Sequence, residues 1–419
     1  MVAKIKTRPE RDTSRDSGAP IVDAMETDET GTRQENQLAG ARVIIVLGPL
    51  EVGGSERQAL LLARYLKDEH QADVRVWGTA GEPGGLTRLC EEYGIPWRIV
   101  PFQWEESRVR NLSNLIGFAR QLRRERPDII LPYLATTNLL CNLIWRLTGA
   151  RLCIWNQRDL GLDRVRSRYE QRAVRQTSGF IANSDHVAKY LTAELRAEPG
   201  RVRTVPNGIE LAEPASDRKA WRDRLGVEAD AFVACMVANL NENKDQATLV
   251  RAWRIVVDRM AELGRPAVLV LAGRLGPTHQ ALKALAFDLR LGGSVIFLGQ
   301  VNDIPGLLNA VDLGVFSSHS EGSPNGVLEC MGAGLPVVAT DIPGIREALG
   351  IDSEALLVPV ANPEAMADAI LKMSAEAGVR RRLGDANRRR AREDFNPRRM
   401  CEDTVAILRA GLSAAASRK

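Results

Sequence analysis

The sequence predicts an α/β protein built of two Rossmann-like domains that face each other across a cleft. Short, continuously apolar runs alternate with amphipathic stretches of helical length, the pattern of a parallel sheet covered by helices. The series starts near Arg42 and starts again at Phe232, after a polar stretch. A length of 419 residues is enough for two sizeable cores.

The first strand is expected over 42–47 (RVIIVL), apolar throughout after Arg42, as buried parallel strands are. Gly48, Pro49, Gly53 and Gly54 follow, and a helix then opens at Ser55. A glycine loop between strand and helix aims backbone N–H groups and the positive helix end at a phosphate. The spacing is not G-x-G-x-x-G, and a tight turn packing helix on sheet would use the same residues. Further strands are expected at 73–78, 97–101, 129–131, 152–155, 179–182 and 202–205. The helices between them are expected at 86–93, 112–124, 138–147, 164–176 and 184–195. Ligands of such sheets lie beyond the carboxyl ends of the strands. That rule singles out Gly53 and Gly54, the stretch after Leu131, and 156–159. Two arginine-rich stretches, Arg120, Arg123, Arg124 and Arg126, then Arg164, Arg166, Arg168, Arg172 and Arg175, read either as solvated helix faces or as feet for anionic lipid headgroups or a pyrophosphate-linked acceptor.

Val205-Pro206-Asn207-Gly208-Ile209 is a turn signal, and the next roughly 20 residues are polar, so the linker is placed there. The second series has strands at 232–238, 267–271 and 295–298, a polar loop at 239–244 and a helix at 245–259. Gly273 and Arg274 stand just past one strand end, Gly299 and Gln300 past the next. Lys244 lies near a helix start, where a cation neutralises phosphates or merely meets solvent.

The most informative stretch is 318–347, SHSEGSPNGVLECMGAGLPVVATDIPGIRE. It follows a strand at 311–316 and reads as loop, helix and second strand. Ser323 then Pro324 suggests a capping hydroxyl followed by proline at the first helical position. Glu321 in the loop and Glu329 in the helix have seven residues between them, and Asn325 shares a helix face with Glu329. The amides suit phosphate or sugar oxygens, and the carboxylates accept strong hydrogen bonds from hydroxyls. Taken alone, the loop reads equally as a crossover with solvated acids.

Composition bounds the rest. Hydrophobic content is 44% and charged content 26%, with a net charge of +4, ordinary for a globular protein and not the footprint of a nucleic-acid binder. Six scattered cysteines and four histidines show no metal-ligand spacing, so reduced buried thiols are expected and a resident metal is not. Residues 1–38 are polar and are expected to be a disordered tail without a signal peptide's apolar core. No apolar run reaches the length of a membrane span. A cytoplasmic protein is expected, with contact at a membrane surface left open.

The string E-x7-E around a glycine and proline loop, followed by E-C-M-G-A-G-L-P-V-V-A-T-D, resembles the nucleotide-sugar signature of retaining glycosyltransferases of family 4, which have the GT-B fold. The resemblance runs from about Arg42 to Leu412. V-A-N-L-N-E-N-K-D looks like that family's phosphate loop, with Asn239 where the pattern usually has arginine and with Lys244 at the lysine. G-Q-V-N-D-I-P matches the segment over the nucleotide base, V-P-N-G-I the interdomain turn, and G-P-L-E-V-G-G-S-E the N-terminal glycine loop. The resemblance implies a first, acceptor domain at 39–207, a donor domain at 208–397 and a helix at 398–419 crossing back.

It further implies that Glu329 holds the ribose hydroxyls and that Glu321 and the amides of Gly322 to Asn325 hold the donor sugar, with Ser323, Pro324 and Gly326 counted among the donor-binding residues. Lys244, Gly53 and Gly54 would meet the diphosphate; with Asn239 in place of the usual cation, either Lys244 is left more exposed to single mutation or Arg274 compensates. Lys244 and Glu321 are then the expected catalytic residues. The donor is a co-substrate, and no cofactor is implied. Many members carry a first-domain histidine where Asn156, Gln157 and Arg158 stand here, so the acceptor-side chemistry is left open. Rival readings are a GT-B epimerase or phosphorylase, and a catalytically silent GT-B module that partners another transferase.

Overall fold

The computed structural model describes residues 38–161, 168–210, 213–350 and 356–417. The expected tail lies outside these, as do Arg164 and Arg166. Leu38, placed in the tail by its polar surroundings, is instead fully buried in the N-terminal core.

Seven strands form the first sheet: Arg42–Pro49 (β1), Asp73–Ala80 (β2), Trp97–Ile99 (β3), Ile129–Pro132 (β4), Leu152–Gln157 (β5), Gly179–Ala182 (β6) and Val202–Thr204 (β7). Their order is β3-β2-β1-β4-β5-β6-β7, and every pairing is parallel. Six strands form the second: Phe232–Val237 (β8), Ala267–Ala272 (β9), Val295–Gly299 (β10), Leu313–Phe316 (β11), Val337–Thr340 (β12) and Leu357–Val358 (β13). Their order is β10-β9-β8-β11-β12-β13, again all parallel. Helices cover the faces, so β5 and β9 are buried from end to end and β1 from Val43 to Leu47.

The winding reverses beside β1 in one sheet and beside β8 in the other. Crevices open at the carboxyl ends of strands where the order reverses. The glycine loop leaves β1, the 239–244 loop leaves β8, and the Glu321 loop leaves β11.

The linker is shorter than its polarity suggests. Part of the stretch is a helix, Arg218–Leu225, whose Trp221 is buried in the C-terminal core. Arg222 is buried with it. It pairs with Asp312 at 2.9 Å and donates to the carbonyls of Glu228, Ala229 and Ala231. A charged residue thus serves as interior scaffold because each of its donors finds an acceptor.

The last helix, Pro397–Ala416, belongs spatially to the first domain. Met400, Cys401, Val405, Leu408 and Leu412 lie in one core with Val43, Leu152 and Val205. The chain crosses twice between domains, and the crossings touch: Ile209 N donates to Phe395 O at 2.9 Å. All six cysteines are free and buried. Burial raises their thiols, that of Cys90 to about 11 and that of Cys401 to about 12, so they stay protonated and packed.

Candidate active site

A cavity of about 420 Å³ lies between the glycine loop of the first domain and the loops that follow β8, β9, β10 and β11 of the second. The Gly54–His70 helix begins at Gly53, whose position supplies no side-chain cap, so its first turn meets the cavity as backbone amides, with that of Glu56 held by its own carboxylate. Across the cavity the helix Asn325–Gly332 begins after Pro324, which is its N-cap. Ser323 does not cap it as expected: Pro324 is extended, with ψ 106°, and the helix starts one residue later. Gly326 is required by close approach. A Cβ there would collide with the carbonyl oxygen of Val237 at the end of β8, which seats the helix start directly against that strand.

The two acids sit in different settings. Glu321 accepts from Ser318 Oγ at 2.7 Å and from Lys244 Nζ. Both members of that ion pair are largely buried, so each neutralises the other. Glu329 projects from its helix to Arg57 of the first domain, 3.1 Å away. Burial raises the Glu329 carboxyl above its usual range, and Arg57 pulls it the other way.

Asn239 does not meet the cavity as a charge. Its Oδ1 accepts from the Arg274 amide at 3.0 Å and its carbonyl from Gln246 Nε2. It therefore shapes the loop that presents Arg274, whose side chain lines the same cavity. Gly273 permits this geometry, with φ at 157° and no room for a Cβ against Ala238 O. Glu56, in the first turn of the Gly54–His70 helix, folds back against Gly53. Burial raises its carboxyl, while its own amide and Arg274 lower it.

Polar contacts between the domains frame the cavity. Asn325 Nδ2 donates to Gly54 O at 2.9 Å, and Asn207 Nδ2 donates to Asn325 Oδ1 at 2.7 Å. Gln58 bonds both the amide and the carbonyl of Gly208, each at 2.8 Å. Glu347 accepts from the amides of Asp185 and His186, capping the helix Asp185–Ala193 from the other domain.

The structure thus brings Gly53, Gly54, Asn239, Lys244, Arg274, Glu321, Ser323, Pro324, Asn325, Gly326 and Glu329 around one cavity. Gly322 is not among its lining residues and packs against Arg158 O and Asn183. Asn156 and Gln157 do not reach the cavity either, because β5 runs two residues longer than expected and both lie within it. A second space, about 700 Å³, opens on the far side of the Arg57–Glu329 pair and is lined by Gln300, Val301 and Asn302. Among the described residues, no three His, Cys, Asp or Glu side chains converge as metal ligands.

Both halves match family models. Residues 217–390 match glycosyl transferases group 1, and residues 52–213 match glycosyltransferase family 4. The chain belongs to this glycosyltransferase family. It is 30% identical to a D-inositol 3-phosphate glycosyltransferase of Geodermatophilus obscurus, over 74% of this chain and 67% of that one. Alignments with two further enzymes of that name span 58% and 64% of their length. A UDP-Gal:alpha-D-GlcNAc-diphosphoundecaprenol alpha-1,3-galactosyltransferase of Escherichia coli is 23% identical over 79% of this chain and 87% of its own. Anabaena HepE, solved in complex with UDP-glucose, superposes with a TM-score of 0.76 at 20% identity, over 88% of this chain and 99% of that one. The fold of this glycosyltransferase is GT-B.

Reading the sequence alone did not find Glu56 and Arg57 in this glycosyltransferase. Their signal is a charged pair in the first turn after a glycine loop, which is ambiguous until the opposing domain is in place. Asn207 lies in a turn signal, and its bond to Asn325 joins segments more than 100 residues apart.

Proposed function

We propose that this glycosyltransferase moves a sugar, with retention of anomeric configuration, from a nucleoside diphosphate sugar to a hydroxyl of a glycan or lipid-linked acceptor. The observation that carries this is the convergence of Lys244, Arg274, Glu321, Glu329 and two helix N-termini on one cavity. The sugar-linked diphosphate suits the amides, Lys244 and Arg274. The ribose suits Glu329, and the sugar hydroxyls suit Glu321.

Bond breaking leaves oxocarbenium character on the sugar and negative charge on the departing diphosphate. Lys244, Arg274 and the helix amides are preorganised for that charge and stabilise it. A phosphate oxygen takes the acceptor proton, so the reaction needs neither a strong protein base nor a metal. The relatives above, one named for UDP-Gal and one solved with UDP-glucose, make uracil the first base to test.

A thermal-shift screen of UDP-, GDP- and ADP-sugars is the direct test. A ligand bound by the folded state alone at 100 times its Kd stabilises by about 2.7 kcal/mol, so one nucleotide series raises the midpoint by several degrees. No shift with any of the three removes this reading. The anomeric configuration of the product, read by NMR coupling, decides retention.

We place the reaction in polysaccharide or cell-envelope glycan synthesis, with the protein cytoplasmic and peripheral at the inner membrane face. The support is the helix Arg108–Glu125, which exposes Val109, Leu112 and Ile116. Arg108, Arg110, Arg120, Arg123 and Arg124 of that helix are exposed as well. Apolar residues amid arginines suit an anionic lipid surface. The protein should pellet with anionic vesicles and remain in solution with neutral ones. Equal partition into both removes the membrane assignment. No helix among the described residues is long and apolar enough to cross a membrane.

A further inference from the structure

Of the three side chains that follow one another at the end of β5, only Arg158 faces the cavity. Asn156 is occupied within the first domain, where its Nδ2 donates to Pro132 O at 3.0 Å and its amide to Asn138 Oδ1. Gln157 accepts from Trp155 Nε1 at 2.8 Å and donates to Asp159. Arg158, by contrast, lines the 420 Å³ cavity.

Its surroundings are unusual for a guanidinium. Arg158 is 7% exposed. One terminal nitrogen donates to Asn207 Oδ1 at 3.0 Å, and its carbon lies 5.0 Å from the centre of the Tyr133 ring. Nε is buried without a hydrogen-bond partner, as is Oδ1 of Asn183, 3% exposed, which lines the same cavity. Among the described residues no carboxylate stands within ion-pair distance of Arg158, although Lys244 and Arg57, at the same cavity, each have one.

A buried cation with only neutral partners carries an uncompensated desolvation cost. An aromatic face offsets part of it without supplying a counter-charge. A substrate anion supplies the missing charge, and the guanidinium fork matches phosphate and carboxylate oxygens in two-point contact. Position narrows the choice. Asn183 Nδ2 holds the Arg158 carbonyl at 3.1 Å, and that carbonyl lies against Gly322. The side chain is tied through Asn207 to Ser323 O and Asn325. Arg158 therefore stands beside the 321–325 loop.

We propose that Arg158 is an anion anchor for the donor, binding an oxyanion carried by its diphosphate or by a carboxylate on its sugar. The proposal rests on reading the cavity as a nucleotide-sugar site. It goes further by assigning a first-domain cation to the donor and by bringing uronate-bearing donors within the substrate class.

The test is thermal melting and titration calorimetry of the full chain, as wild type, Arg158→Gln and Arg158→Lys. The probes are inorganic pyrophosphate, D-glucuronate and D-glucose, none of which carries a base. If the diphosphate is the source, pyrophosphate stabilises the wild type, binds Arg158→Gln at least tenfold more weakly, and recovers most of its affinity in Arg158→Lys. If a sugar carboxylate is the source, glucuronate but not glucose behaves so. A merely structural arginine lowers the ligand-free midpoint and leaves every anion-induced shift the same size in folded wild type and variant, which overturns the proposal. UDP, GDP and ADP run in parallel separate the two readings. If none stabilises the wild type while an anion still discriminates Arg158→Gln, the nucleotide reading falls and the anion anchor stands.

Discussion

Replacing Lys244 by alanine is expected to lower turnover by about two to three orders of magnitude, roughly 3–4 kcal/mol in the barrier. The cavity explains why the loss should be large. The neighbouring position that could hold a second loop cation is Asn239, and its side chain is engaged in presenting the Arg274 amide. Arg57 is engaged by Glu329, so among the second-domain cations of the cavity, charge on a leaving diphosphate would fall on Lys244 and Arg274. The substitution also strips a mostly buried Glu321 of its cation, leaving Ser318 Oγ as its bonded partner. That should cost about 2 kcal/mol of stability, somewhat below the range for fully buried pairs.

The comparison with Glu321→Gln and the double variant separates the two effects. If Lys244 acts on the leaving group, the double variant stays as slow as Lys244→Ala while regaining part of its stability. Single-turnover rates and unfolding midpoints on the same samples provide the check. Near-normal turnover in folded Lys244→Ala would remove the residue from the chemistry.

Replacing Glu329 by glutamine should separate stability from function in the opposite direction. Burial raises the folded-state value of this carboxyl, with Arg57 opposing. A carboxyl raised on folding contributes stability at pH below its unfolded value and loses that contribution as pH rises through the folded value. At neutral pH the ionised side chain is therefore a net burden on the ligand-free fold. Glu329→Gln should melt about 2 °C higher at pH 7. The difference should shrink as pH falls into the usual carboxylate range, where wild type and variant are both neutral.

Donor affinity should move the other way. A charged acceptor contributes about 1.5–3 kcal/mol per hydrogen bond and a neutral one about 0.5–1.5, so Kd for the nucleotide should rise about tenfold to one hundredfold. Calorimetric titration at pH 7 with the nucleotide found in the screen measures this. A variant that melts lower and binds normally would take Glu329 out of the ribose site and make it a structural partner of Arg57.

Much of this site was legible before folding because its residues are close in sequence. Glu321, Asn325 and Glu329 lie within one loop and helix, and helical spacing alone places the last two on one face. The glycine loop at Gly53 and Gly54 is equally local. The linker was misjudged for a different reason. Composition cannot tell a solvated arginine from Arg222, whose donors are all absorbed by carbonyls and by Asp312 in the folded state. Leu38 and Ser323 show the same limit at element boundaries, where a single residue's burial or ψ angle depends on what packs over it.

By itself, then, the chain's pattern of apolar runs, glycine loops and E-x7-E spacing determined two parallel-sheet domains and the loops that meet between them. Short-range sterics and burial periodicity are properties of neighbouring residues. Only the tertiary structure decided the pairings across the cleft, Arg57 with Glu329 and Gly54 with Asn325, and the pairing of Lys244 with Glu321 between two loops of the second domain 77 residues apart. It also decided that Arg158, among three adjacent candidates, is the side chain turned into the cavity without a carboxylate among the described residues. Such partners are set by how two separately wound sheets dock, and no local preference encodes which distant charge a side chain will meet.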